Sequence, residues 1–203
     1  MYLKGKMNID DKIRDLQGSQ SNRMEVLWQP LMEKYDCQYI CEVGVREGNN
    51  FKKMIRHRPK LAVAVDCWKD TGEAPTNDGS FTQEELDNQY ETFKNGIGSE
   101  PFVKVCRGFS QDVVKEFPDE YFDLVYIDAD HTHEGVWSDL VDWYPKVKKG
   151  GILSGHDYRR RKFRTKDGWI KFGVVSAVNK FIEENNIKTF FLLTPTSWGI
   201  VKI

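Results

Sequence analysis

Short apolar runs alternate with amphipathic stretches along the chain, and their two periods separate strands from helices. Apolar runs of strand length fall at residues 39–43 (YICEV), 61–66 (LAVAVD), 102–106 (FVKVC), 122–128 (FDLVYID), 151–155 (GILSG), 189–195 (TFFLLTP) and 198–203 (WGIVKI). Helical patterns over 48–57, 83–97, 110–117 and 133–144 separate the first five runs. That rhythm predicts an α/β domain with a mainly parallel sheet, because parallel strands need crossover connections. A further helix over 173–186 puts Val174, Val178, Phe181 and Ile182 on one face. The two runs after it meet at a Pro-Thr-Ser turn and predict an antiparallel hairpin. The expected sheet therefore has seven strands, one of them reversed. Residues 1–35 read as helical, MEVLWQPLMEKY being the most regular part. The pattern leaves open whether they cover a sheet edge, cover a pocket or form a dimer interface.

Two segments interrupt the rhythm. Residues 67–83 are rich in turn formers, and residues 157–171 (DYRRRKFRTKDGWIK) are basic and aromatic. Both follow the C-terminal end of a predicted strand, the edge at which open α/β sheets bind ligands.

Composition narrows the function classes. At 203 residues, 39% hydrophobic and 13% aromatic, the chain fits one folded domain. A formal net charge of −1 makes no case for nucleic acid or an acidic membrane. The charge is unevenly spread: residues 69–100 carry a local −6 and residues 146–171 a local +8. Cys37, Cys41, Cys67 and Cys106 form no C-x-x-C pair, which suits reduced thiols. With no signal-like or membrane-length apolar run, the expectation is a cytoplasmic protein.

The first chemical signal is ICEVGVREGNNFKKMI, a strand, a glycine turn and a helical pattern. Gly44 and Gly48 allow close backbone approach to a ligand. Asp66 lies 22 residues beyond Gly44, at the end of the next strand, where a carboxylate can accept from both ribose hydroxyls. The turn lacks the middle glycine of a dinucleotide fingerprint.

Taken together, EVGVREG, Asp66 and the strand order with its terminal hairpin resemble a class I S-adenosylmethionine-dependent methyltransferase. The stretches AVDCW, GFSQDVVKEFPDEYFDLVYIDADHTHEGVWSDL and KKGGILSGHDY are similar to the small-molecule O-methyltransferase branch. That branch holds macrocin-type sugar methyltransferases and cephalosporin-hydroxylase-like proteins. The resemblance covers roughly residues 38–186. It implies a Rossmann-like seven-stranded fold, with a helical segment over 1–37 and the cofactor domain over 38–203. It further implies that Glu42, Gly44 and Gly48 line the methionine end of the cofactor and that Asp66 binds its ribose. Cys67 and Trp68 would lie near the ribose or adenine, Phe109 and Ser110 near the adenine, and Asp128 beside the transferred methyl group. For Phe109 core packing is the alternative, and for Ser110 a helix N-cap.

The second signal is the run Asp128, Asp130, His131, His133 and Glu134, followed at the next strand end by His156 and Asp157. Three readings stay open. Asp128, His156 and Asp157 could hold Mg²⁺ or another divalent cation, the histidine suiting Mn²⁺, Fe²⁺ or Zn²⁺ better than Mg²⁺. Asp130 or His131 could act as a metal-free general base on an acceptor hydroxyl. The cluster could also cap the next helix, the reading that best suits His133 and Glu134. An H-x-H-x-D-H two-zinc hydrolase is disfavoured, since the chain has four histidines in all. The basic stretch 158–169 is either a solvated charge run or a lid for an anionic or sugar substrate.

The expected activity is S-adenosylmethionine-dependent O-methylation of a small hydroxylated molecule or sugar. The alternatives are a metal-dependent hydroxylase-like enzyme and a non-catalytic cofactor-binding protein on the same fold. A homo-oligomer is compatible with all three.

Overall fold

The structure is a computed structural model and describes residues 9–18, 24–70, 81–160, 162–165 and 168–203. Helices α1 (Ile9–Gly18) and α2 (Met24–Tyr35) come first. Strands and helices then alternate through β1 (Tyr39–Val43), α3 (Phe51–Met54), β2 (Leu61–Asp66), α4 (Gln83–Asn95), β3 (Val103–Arg107), α5 (Ser110–Val113), β4 (Phe122–Ile127), α6 (His133–Trp143) and β5 (Val147–Gly155). A small hairpin, β6 (Lys162–Thr165) with β7 (Gly168–Lys171), leads into α7 (Val174–Glu184). Strands β8 (Phe190–Leu192) and β9 (Trp198–Val201) follow.

The seven-stranded sheet has the order β3-β2-β1-β4-β5-β9-β8. Its first five strands are parallel, and β9 runs antiparallel to both β5 and β8. This is the expected Rossmann-like α/β sheet with one reversed strand. Because the chain leaves β1 toward β2 and later returns to β4 on its other side, the topological switch point lies between β1 and β4.

The near-continuous apolar strands are explained by burial on both faces. Along β1, Cys41 and Val43 enter a core with Val63, Val125 and Leu153, sealed by Leu140 and Trp143 of α6 and Phe181 of α7. The alternate residue Ile40 enters a second core with Ala62, Leu124 and Ile152, sealed by Trp28 and Met32 of α2 and Phe51 of α3. The strand period of two thus assigns successive residues to opposite cores. Helices α1 and α2 cover a sheet face, and α1 also contacts the edge strand β8. At the opposite edge from the switch-point loops, Asp123 accepts the Gln38 and Tyr39 N–H groups at 2.9 and 2.8 Å and pairs with Lys148 at 2.8 Å. One carboxylate therefore ties the starts of β1, β4 and β5 together.

Several expected elements differ. The helix expected over 48–57 begins only at Phe51 and tightens to a 3-10 turn over Ile55–His57. Gly48 at φ 79° keeps the chain out of helix until then, and Arg58, which precedes Pro59, adopts φ 53°. The helix expected over 110–117 is α over Ser110–Val113 and 3-10 over Val114–Glu116, because Phe117 is extended ahead of Pro118. Strand β5 starts at Val147, four residues early, behind charges that masked it. The basic stretch expected as a loop contains the β6–β7 hairpin. Among the described residues no helix is long and apolar enough to cross a membrane.

Candidate active site

The glycine turn and the acid–histidine loop meet through their backbones. Gly44 follows β1 at φ 89°, donates to the Val65 carbonyl at 2.8 Å, and a Cβ there would strike the Asp128 carbonyl and Ala129. The Asp128 N–H in turn donates to the Val43 carbonyl at 2.7 Å. Only glycine combines that dihedral with that approach. Gly48, at φ 79°, serves a different neighbour: a Cβ would run into the Phe93 ring of α4. That contact packs the turn against the core through α4.

Asp66 ends β2 and holds the turn in shape. Its two carboxylate oxygens accept the Arg46 and Trp68 N–H groups, each at 2.8 Å. Burial pushes its carboxyl up, and these backbone donors oppose the shift. A carboxylate offers about four lone-pair positions, so further donors such as ribose hydroxyls can still be accepted.

Beside Asp66 lies a cleft of about 430 Å³ lined by Cys67, Lys69, Gln83, Arg107, Gly108 and Phe109. Phe109 is 38% exposed, with the Lys69 ammonium 5.6 Å from its ring centre. It is a wall of the cleft, not the core residue of the alternative reading. Arg107 donates to the Trp68 carbonyl at 3.0 Å and pairs with Asp87, and Gln83 donates to the same carbonyl at 3.0 Å. Cys67 lines the cleft, whereas Trp68 is 1% exposed and braces the glycine turn by donating to the Arg46 carbonyl at 3.0 Å. Ser110 is not an N-cap, the position Phe109 occupies. Its hydroxyl donates to Asp139 at 2.5 Å and accepts from the Trp143 indole at 2.7 Å. Burial pushes the Asp139 carboxyl up to about 7, against the pull of the Ser110 hydroxyl.

At the ends of β4 and β5 the acid–histidine run divides. β4 stops at Ile127, so Asp128 and Asp130 lie in the loop beyond it and share no strand face. Asp130 accepts the Thr132 N–H at 2.8 Å and its hydroxyl at 2.7 Å, at the start of α6 where Thr132 is the N-cap. Asp130 is thereby tied to the helix start, with both carboxylate oxygens accepting from Thr132. His133 opens α6 with its Nδ1 2.8 Å from Ser176 Oγ, and Glu134 is the acid of the first turn.

Asp128, His131 and Asp157 converge instead, with one ligand atom from each lying within 4.8 Å of the others. His131 Nε2 stands 3.0 Å from Asp157 and 3.4 Å from Asp128, and His156 Nδ1 stands 3.5 and 3.9 Å from the same two. His156 thus sits at the rim of the expected metal trio, and His131 takes the central place. The His131 ring stacks on Phe172 at 4.9 Å. Burial alone would lower its pKa, but the two flanking carboxylates outweigh burial and hold it protonated up to about 9. Burial would raise the Asp157 carboxyl, yet His131 and His156 bring it far below the usual range. The distances are short but poorly aligned: both His131 nitrogens and Asp157 Oδ1 are enclosed without a well-formed hydrogen bond. Arg159 also reaches Asp157 Oδ1, at 2.7 Å. Enclosed carboxylate and imidazole donors around one point fit a divalent cation, or an imidazolium clamped between two acids.

Glu42 is the most enclosed acid of the site. It is 2% exposed, its Oε1 accepts from Asn50 at 3.1 Å, and its Oε2 has no hydrogen-bond partner among the described residues. Burial pushes its carboxyl well up, against the pull of Asn50. Residue patterns missed Lys69, Gln83 and Arg107; their signal was position, at strand ends and at the helix start after the long 67–83 stretch.

A family model described as a methyltransferase domain matches residues 41–158. No curated protein matches the sequence. Among solved structures the chain is similar to the O-methyltransferase NovP at 15% identity and TM-score 0.61, covering 94% of this chain and 79% of that one. It is similar to an O-methyltransferase from Bacillus cereus in complex with SAH, at 13% and 0.58, covering 98% and 93%. It is also similar to CalS11, a TDP-rhamnose 3'-O-methyltransferase, at 15% and 0.56, covering 98% and 88%. At these identities the likeness is one of fold.

Proposed function

The chain belongs to the methyltransferase-domain family and is a class I S-adenosylmethionine-dependent methyltransferase, and on that premise we propose that it methylates a hydroxyl oxygen of a small molecule, sugars first among them. The observation that carries this reading is the contact of Gly44 with the Asp128 backbone. It sets the cofactor turn directly against a polar cluster suited to an acceptor hydroxyl. Adenine occupies the cleft beside Phe109 and Cys67, the ribose lies at Asp66, and the methionine end lies toward Glu42. The sugar preference draws on the fold likeness to CalS11, which acts on TDP-rhamnose.

In the reaction the acceptor oxygen attacks the methyl carbon as the carbon–sulfur bond breaks. The electron pair stays on sulfur, giving S-adenosylhomocysteine. The hydroxyl proton passes to Asp128, the more open carboxylate, whose side chain is 27% exposed against 10% for Asp157. His131, protonated between the two acids, orients the acceptor oxygen and does not serve as the base. Fixed alignment of oxygen and methyl supplies much of the rate, and base assistance contributes roughly 10²–10⁴-fold.

A divalent cation fits the same residues, because one ligand atom from each of Asp128, His131 and Asp157 lies within 4.8 Å of the others and the enclosed His131 nitrogens form no well-aligned hydrogen bond among the described residues. Asp128, His131 and Asp157 would hold it, with His156 at the rim. It would make the acceptor hydroxyl more acidic, and the imidazoles suit Mn²⁺, Fe²⁺ or Zn²⁺ better than Mg²⁺. Incubation with S-adenosylmethionine and a panel of glycosides and phenols, with and without EDTA, tests both parts. A product heavier by one methylene group is expected. No methylated product across the panel, with no cofactor consumed, counts against O-methylation, and EDTA-insensitive turnover removes the cation.

A further inference from the structure

Glu42 joins α2, which lies outside the matched family region, to the cofactor edge. Trp28 of α2, fully buried, donates its indole N–H to Asn50 Oδ1 at 2.8 Å. The Asn50 amide donates onward to Glu42 Oε1 at 3.1 Å. Asn50 stands where α3 begins, yet its side chain makes no cap hydrogen bond there. An asparagine at that position would ordinarily cap the helix, so its amide is diverted to the Trp28–Glu42 connection. The chain of bonds leaves Glu42 Oε2 enclosed and, among the described residues, unpartnered, two residues before Gly44. An enclosed carboxylate oxygen without a donor is costly unless a ligand supplies one.

We propose that Trp28 and Asn50 are positioning residues that fix Glu42 to receive the ammonium group of the cofactor's methionine end, which makes α2 part of the cofactor site. This rests on the placement of the methionine end toward Glu42. Trp28 also packs edge-on against Tyr126, ring centres 5.1 Å apart, so its indole both fills the core and aims the acid.

Two ligands separate positioning from simple core packing. S-adenosylhomocysteine carries the amino-acid end, and methylthioadenosine lacks it while keeping the adenosine. Calorimetric titration of the full chain is compared for wild type, Trp28→Phe and Asn50→Ala, with melting temperatures recorded for each. Both variants are expected to weaken S-adenosylhomocysteine about three- to tenfold and to leave methylthioadenosine unchanged. The double variant is expected to lose no more than the worse single one, as serial links are not additive. Equal weakening of both ligands, additive losses, or unchanged binding beside a lowered melting temperature would each overturn the positioning role. Wild type that binds methylthioadenosine but not S-adenosylhomocysteine would overturn it too while leaving the adenosine cleft intact. Wild type that binds neither would overturn the methyltransferase reading as well.

Discussion

Two aspartates bracket the same strand and are treated in opposite ways. Asp123, at the start of β4, has its carboxylate filled by two backbone N–H groups and Lys148. Asp128, just beyond the end of β4, is met by no backbone N–H among the described residues and faces only the imidazoles of His131 at 3.4 Å and His156 at 3.9 Å. The first spends its charge on holding three strands together, and the second keeps it available. In an α/β sheet the edge that ends the strands carries the ligand, and this chain divides its acids accordingly.

Breaking the available acid is expected to have the largest effect. Asp128→Asn lowers turnover by roughly 10²–10⁴-fold, with the melting temperature nearly unchanged. Breaking the filled acid reverses the pattern. Asp123→Ala strands two backbone donors and Lys148, costing on the order of 3 kcal/mol in denaturant unfolding, while turnover per folded molecule stays near wild type. If both variants lose activity and stability together, the division between the edges fails.

How much of this division is visible in the residues depends on distance along the chain. Strands β1 and β2 fall where their apolar runs place them, because double-sided burial leaves a local signature. The glycine turn and Asp66 are legible for the same reason, being tied to strand ends. His131 is legible as a base candidate, but its seat between Asp128 and Asp157 is not, since it depends on β4 stopping at Ile127 and on Phe172 stacking against the ring. The Trp28–Asn50–Glu42 connection is likewise invisible, because its members come from three elements and only folding aligns them. For Asp130 and Ser110 residue type suits chemistry or capping, and the partners at α6 that hold them appear only in the fold.

Smaller effects sharpen the comparison within the functional edge. Phe109→Ala removes an exposed wall of the cleft, so folding is spared. It is expected to weaken cofactor binding by about tenfold, as loss of one base–aromatic stack costs roughly 1–3 kcal/mol. Unchanged affinity would move the adenine elsewhere. Asp139 gives a test through pH. Its carboxyl is ordinarily near 3.8 and is pushed up to about 7 in the fold. The folded state therefore holds a proton that the unfolded chain has released between those values. Stability is expected to decline as pH rises from about 4 through about 7 and to level off above, and Asp139→Asn should remove that slope. An identical slope in the variant would assign the dependence to another group.

The most direct measurement is calorimetric titration of the intact protein with S-adenosylmethionine. Saturable binding of one cofactor per chain, weakened by Phe109→Ala and by Asp66→Ala, is the expected result. Absence of saturable binding by wild type, or affinity indifferent to both substitutions, would contradict a cofactor site between the Gly44 turn and the β2–β3 cleft.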